Sequence, residues 1–200
     1  MSEFHVSVIP VGKIESAELE AALVRVAKSV REPLELRATL PLPQGVEDSE
    51  RSQFRASLLM KRLRSMVPQL GPGKLVGSEG RADARPPLKS DAFIFVTDAD
   101  LFTASSDSVF AALMSSQGMA VVSVRRLREA YYRRKADPAK QRTRLVKEVT
   151  RMVGRLRGAS ECSTPQCVLA PSKMFADLDL KEERLCRACS LLLFEGTIRI

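Results

Sequence analysis

The apolar residues of this chain change period twice within the first forty positions. Phe4 to Val11 (FHVSVIPV) alternates and then runs apolar, which predicts a strand ended by Pro10 and Gly12. From Ser16 to Val30, the residues Leu19, Leu23, Val26 and Val30 recur at helical spacing, with Ser16 as the N-cap and Pro33 just past the end. Leu34 to Leu40 alternates again as a second strand, stopped by Pro41 and Pro43. Strand, helix and strand in this order predict a parallel pair with a crossover helix.

A second helix is expected from about Ser49 to Val67, with Leu59, Met60, Leu63, Met66 and Val67 on its apolar face. Its methionines read as core filler rather than chemistry. Gln69 to Ser90 has no period and is rich in Gly, Pro and charge, the pattern of a mobile loop. Asp91 to Thr97 and Met119 to Val124 are short continuous apolar runs, as in strands buried on both faces. Ser108 to Leu113 reads equally as an edge strand or a helical turn. The last long helix is expected from Arg142 to Arg157. Leu145, Val146, Val149, Met152, Val153 and Leu156 form one stripe, and Arg144, Lys147, Arg151 and Arg155 fill the opposite face. Gly158 is placed to end it. The whole pattern predicts an α/β (α+β) fold with a twisted, mostly parallel sheet and packed helices.

Two hundred residues with 44% hydrophobic content suit a single domain. The sheet and helices would occupy about residues 3–157, a cysteine-bearing segment 158–190, and a tail 191–200. No stretch has the shape of a signal peptide or the length of a bilayer span, which predicts a cytoplasmic protein, without membrane attachment and with reduced cysteines. The chain has one histidine, His5, inside the first apolar stretch, so a three-histidine metal site cannot be built from it. Net charge is +8, and Val124 to Arg157 alone holds thirteen Lys or Arg against three Asp or Glu, a local +10. That 125–157 face is either a solvated helix surface or a surface for a nucleic acid or other polyanion, with Tyr131 and Tyr132 interleaved among its cations.

All four cysteines lie between Arg151 and Cys189. Cys162 and Cys167 form one knuckle (Cys-x4-Cys), Cys186 and Cys189 another (Cys-x2-Cys), with an 18-residue loop between them. Paired cysteines on tight turns supply the four thiolates that a tetrahedral zinc takes, so one structural zinc held by all four cysteines is expected. Asp98 and Asp100 are a nearby carboxylate pair, readable as acid/base or metal ligands, or as turn caps.

The residues just before Cys162 bring a resemblance. The chain resembles the archaemetzincin family, whose signature His-Glu-x-x-His-x-x-Gly-x-x-His runs directly into a cysteine, followed by a second cysteine, a Met-turn and a late Cys-x-x-Cys. Laid back from Cys162, the glycine falls on Gly158 and all four cysteines match. The three zinc-binding histidines fall on Arg151, Arg155 and Glu161, the general base on Met152, and the Met-turn methionine on Leu169. Pro10 to Gly12, Leu40-Pro41, Arg51 to Phe54, Val96 to Phe102, and Val122-Ser123 to Arg126-Leu127 also look similar. The resemblance covers most of residues 3–190. It implies a metzincin-like zincin domain and a zinc peptidase ancestry in which the cysteines hold a second, structural zinc.

A zinc hydrolase needs an open metal position and a base that activates water. Guanidiniums at two ligand positions repel the ion and Met152 accepts no proton. The primary expectation is therefore a monomeric pseudopeptidase with one four-cysteine zinc, no catalytic zinc and a basic cleft for a protein or peptide partner, in which either Arg151, Arg155 and Glu161 converge or the two arginines point into water at the helix end. The alternatives are an active, aminopeptidase-like enzyme with ligands drawn from Asp98, Asp100 or Glu161, and a binder of nucleic acid or another anionic partner.

Overall fold

The computed structural model describes residues 4–77 and 91–195. In chain order the regular elements begin with β1 (Val6–Val11), α1 (Ser16–Val30), β2 (Leu34–Leu36), β3 (Glu47–Asp48), β4 (Gln53–Arg55) and α2 (Ala56–Met66). There follow β5 (Lys74–Val76), β6 (Ala92–Thr97), β7 (Leu101–Phe102), β8 (Ala111–Met114) and β9 (Met119–Ser123). The chain then runs through α3 (Pro138–Leu156), α4 (Phe175–Leu180) and α5 (Arg187–Ser190) to a last helical stretch, Leu191–Glu195. Among the described residues no helix is long and apolar enough to cross a membrane.

A six-stranded sheet has the order β5-β2-β1-β6-β9-β8. Its four inner strands are parallel, with Val6 opposite Ala92 and Phe93 opposite Met119, and the two edge strands, β5 and β8, are antiparallel. Every residue of β1 and β6 is buried, because helices cover both faces. Alternation sorts the side chains. Val8, Ile94 and Val122 face the layer built from α1 and α3, whereas Ile9, Phe95 and Val121 face α2. A second, three-stranded sheet, β3-β4-β7, flanks α2.

The expected strands all form, and the mixed, mostly parallel architecture is as the pattern predicts. Four local differences have physical causes. Glu15, not Ser16, is the N-cap of α1. The second helix starts at Ala56 rather than Ser49, because Gln53 and Phe54 are drawn into β4 and Phe54 donates its N–H to the Asp100 carbonyl at 2.8 Å. The second strand stops at Leu36, and Leu40 returns to the sheet only through a bridge to Val11. The supposed loop after Gln69 contains β5, which pairs with β2; its remainder, residues 78–90, lies outside the described residues.

The last long helix begins at Pro138, four residues earlier than expected, where the Asp137 carboxylate accepts the Lys140 N–H at 2.9 Å. The larger correction concerns its polar face, which is not solvated. Arg144, Lys147, Glu148 and Arg151 are all buried, and so is every residue between Arg144 and Gly154. One side of α3 packs on the sheet and α1, and the other lies beneath the segment that carries α4 and the cysteines. The cations of the +10 segment are largely paired within the fold. Arg126 meets Asp100 at 2.5 Å, Arg142 meets Glu18 at 2.6 Å, and Arg157 meets Glu32. Tyr132 is tucked in, its ring 5.0 Å from that of Phe175 and its hydroxyl donating to the Arg126 carbonyl, so it offers no stacking face.

Arg144 is fully buried, donating to Asp179 and Glu129 at 2.7 Å each and to the Leu127 carbonyl at 2.9 Å. Hydrogen bonds from Arg144 and Lys140 hold the Glu129 and Asp179 carboxylates below their ordinary pKa against the opposing effect of burial. Arg144→Met takes the buried guanidinium from Glu129 and Asp179 and leaves them the outer Lys140 and, for Glu129, Arg134, and we expect chemical denaturation to read a loss of about 3 kcal/mol. Unchanged stability would mean that water reaches the pair freely.

Candidate metal centre

Gly158 ends α3 as the sequence predicts. Its φ is +92°, and its N–H donates to the Arg155 carbonyl at 3.0 Å. The turn delivers Cys162, whose own N–H reaches the Leu169 carbonyl at 3.2 Å. Cys167 follows on a tight turn, its N–H on the Thr164 carbonyl at 3.0 Å. Cys186 sits at the N-cap of α5, and Cys189 is inside that short helix. Two strand-like contacts, Val168 N–H to Arg184 O and Glu182 N–H to Gln166 O, bring the knuckles face to face.

The result is a compact sulfur cluster. The four Sγ atoms all lie within 4.8 Å of one another, and none is in a disulfide. Cys162 and Cys186 are 3.8 Å apart. A tetrahedron of zinc–sulfur bonds of about 2.3 Å has edges of about 3.8 Å, so the spacing fits the ion. Backbone N–H groups point at the sulfurs, from Thr164 to Cys162 and from Cys186 to Cys167, at 3.4 Å each. Burial opposes ionisation of Cys162, but the Thr164 donors outweigh it and bring the thiol down to about 7. Burial and the adjoining sulfurs push Cys189 well up, and burial likewise raises Cys167. One thiolate forms readily, whereas Cys167 and Cys189 need a cation to offset the cost of ionising them. Among the described residues this is the one cluster of His, Cys, Asp or Glu that can hold a metal ion.

The residues that the resemblance sets at the peptidase zinc behave differently. Arg151 does not turn chiefly to Glu161, which lies 3.9 Å away and is half exposed. Its guanidinium is fixed on Glu148, one turn back, at 2.6 Å. Glu148 is wholly buried and also accepts from Ser172 at 2.8 Å and from Lys181 at 3.3 Å. Lys181, itself buried, donates further to the Ala170 carbonyl at 2.8 Å and contacts Ser172. Arg155 leaves the group and donates to the Ala159 carbonyl at 2.9 Å. Met152 is 1% exposed and part of the core beneath the sheet. Leu169 is fully buried, and a Cβ on Gly154 would stand 2.7 Å from its Cδ2, so a larger residue at 154 would have to shift the Leu169 side chain. A zinc ion does not fit among these groups: two positions are cationic and engaged, and the one carboxylate, Glu161, is grouped with no other potential ligand among the described residues.

Sequence reasoning missed Glu148 and Lys181. Their signal was faint: Glu148 is the only acid between Pro138 and Leu156, on the cationic face three residues before Arg151. Asp98 and Asp100 are not a ligand pair. Asp100 is committed to Arg126 and Gln53, while Asp98 stays beside Gly12 at the end of β6. His5 precedes β1, where its N–H meets the Asp91 carboxylate at 2.9 Å.

Residues 44–194 match the description "Peptidase family M54". The chain belongs to this family. M54 relatives include an archaemetzincin of Saccharolobus solfataricus, 36% identical over 100 residues, which are 50% of this chain and 54% of that protein. The chain thus aligns with about half the length of the first curated relatives it matches. An archaemetzincin of Natronomonas pharaonis is 29% identical over 194 residues, covering 92% of this chain and 96% of its own. A zinc-dependent peptidase of Methanocorpusculum labreanum superposes with a TM-score of 0.78 at 22% identity, over 94% of this chain and 99% of that one. An archaemetzincin of Methanopyrus kandleri superposes at 0.74 with 24% identity, over 96% and 94%. The M54 fold and the mixed sheet expected of it are therefore present.

Two outcomes follow for the M54 C-terminal segment. Cys186→Ser should abolish tight metal retention and expose residues 158–195 to limited proteolysis while the sheet stays folded; a protease-resistant variant would refute the clasp. Glu148 tests pH. Burial opposes its ionisation, and the charges of Arg151 and Lys181 with the hydrogen bonds of Arg151 and Ser172 outweigh burial, holding the carboxyl below its ordinary 4.5. A carboxyl with a depressed folded pKa contributes stability above the unfolded value and loses it as pH falls through the folded one. The stability gap between wild type and Glu148→Gln should be widest near neutral pH and shrink on acidification below 4.5. A pH-independent gap would mean that Glu148 is not the charged partner.

Proposed function

We propose that this M54 chain is a pseudopeptidase: a single archaemetzincin-like domain with one structural zinc on Cys162, Cys167, Cys186 and Cys189, acting by binding rather than hydrolysis. The observation that carries this reading is the engagement of Arg151 with buried Glu148, next to a general-base position held by Met152 in the core. Hydrolysis by zinc requires an open coordination site and a base within reach of the bound water. Neither group has a counterpart among the described residues, and Glu148 is no substitute, because its oxygens are taken by Arg151, Lys181 and Ser172. The residual cleft, about 540 Å³, is bordered by Gly158, Glu161 and the apolar Leu192 and Leu193. Its charged wall residues are Arg157, paired with Glu32, and Glu161, so it offers a peptide partner the apolar Leu192 and Leu193 rather than net charge. A reducing, cytoplasmic setting suits the free thiols.

Metal analysis of the full chain purified without added chelator should return one zinc per chain, with casein-derived peptides left uncut. A second equivalent is expected only after Arg151→His, Met152→Glu, Arg155→His and Glu161→His are combined, leaving Glu148 on Lys181. A second tightly held equivalent in the unmodified chain, or peptide cleavage that a chelator stops, would replace this reading by that of an active enzyme with substituted ligands.

A further inference from the structure

The accessible positive charge of this protein is not confined to the 124–157 run, where Arg125, Arg133 and Lys135 stay exposed. Much of the 124–157 run is neutralised inside the fold, whereas α2 carries Lys61, Arg62 and Arg64 with no Asp or Glu at all. Arg64 is spent over the Phe93 ring, 4.4 Å from its centroid. Arg55, Lys61 and Arg62 are exposed and have no carboxylate partner among the described residues. Arg55, Leu58 and Arg62 lie at i, i+3 and i+7, hence on one stripe, with Lys61 beside it. Leu58 is 49% exposed in the middle of these cations.

This stripe borders an open groove of about 700 Å³. Phe102 of β7 lines it together with Leu58, and β3 contributes Glu47 and Asp48. β3 is the end strand of the small sheet, and its outer edge pairs with no other strand among the described residues. The groove thus sets a basic helix, an apolar patch and an open strand edge side by side.

We propose that this groove docks an acidic, extended peptide segment of a partner protein. Its carboxylates meet Arg55, Lys61 and Arg62, an apolar side chain lies on Leu58 and Phe102, and its backbone runs along the β3 edge. A nucleic acid fits less well, because Glu47 and Asp48 face a continuous phosphate chain with like charge, whereas a peptide can place amides or a cation there. The site lies on the opposite layer of the fold from the cysteines, so it stands whether or not the M54 cleft retains chemistry.

The test uses the full chain and a dye-labelled peptide alternating Glu with Leu, read by fluorescence anisotropy at low salt. Binding should weaken as salt rises. Combining Arg55→Glu, Lys61→Glu and Arg62→Glu, all at exposed positions, should weaken it by at least about tenfold. Leu58→Ser, which leaves every charge in place, should weaken it by about threefold. Arg125→Glu with Lys135→Glu, in the segment of highest charge density, should leave it within about twofold. Three results would overturn the proposal: no binding at low salt, equal binding by the α2 charge-reversal protein, or displacement of the peptide by oligothymidylate at equal or lower concentration.

Discussion

A single buried carboxylate holds the two halves of this molecule in register. Glu148 lies on α3 with no access to water, and its partners come from both sides of an interface: Arg151 from the same helix, Ser172 and Lys181 from the segment that wraps over it. Lys181 then passes the constraint on, through the Ala170 carbonyl, to the turn that positions Cys167. An isolated charge at this depth would be prohibitive, and a fully satisfied one is directional in a way that apolar contact is not. The cysteine cluster is therefore assembled on a base whose angle relative to α3 is fixed by hydrogen bonds.

In metal-dependent hydrolases the catalytic ion is also a mechanical cross-link between a helix and the turn beneath it. Here that connection is made by ion pairs and by contact between Gly154 and Leu169. A guanidinium already engaged at 2.6 Å with a buried carboxylate has no reason to leave for a histidine-like role, and Met152 has been absorbed into the core. The fold of the family is kept, and within it Arg151 and Met152 are part of the packed structure.

Much of this was legible in the sequence, because it rests on short-range signals. Continuous apolar runs marked the inner strands, the Cys-x4-Cys and Cys-x2-Cys spacing marked the sulfur cluster, and Gly158 marked the end of α3. Three features were not legible, each for a non-local reason. The start of α2 was misplaced because Gln53 and Phe54 form a strand only when Leu101 and Phe102 are available to pair. β5 was hidden because Leu34 to Leu36 recruits it across a long insertion. The polar face of α3 read as solvated because periodicity reports that a face is charged, not whether a later segment returns to cover it. Lys181, which shows that it does, is thirty-three residues downstream of Glu148.

That late arrival of the cover has a consequence for how the chain is made. During synthesis the sheet and α3 emerge before Lys181, Cys186 and Cys189, and until those residues appear one whole side of α3 is open to water. An apolar surface of that size would invite association with other nascent chains. Arg144, Lys147, Glu148 and Arg151 instead leave the unfinished protein with a hydrated, charged face that closes only when its counter-charges and the last two thiols are delivered. The same side chains that are costly to bury in the finished molecule are the ones that water solvates best before the cover arrives.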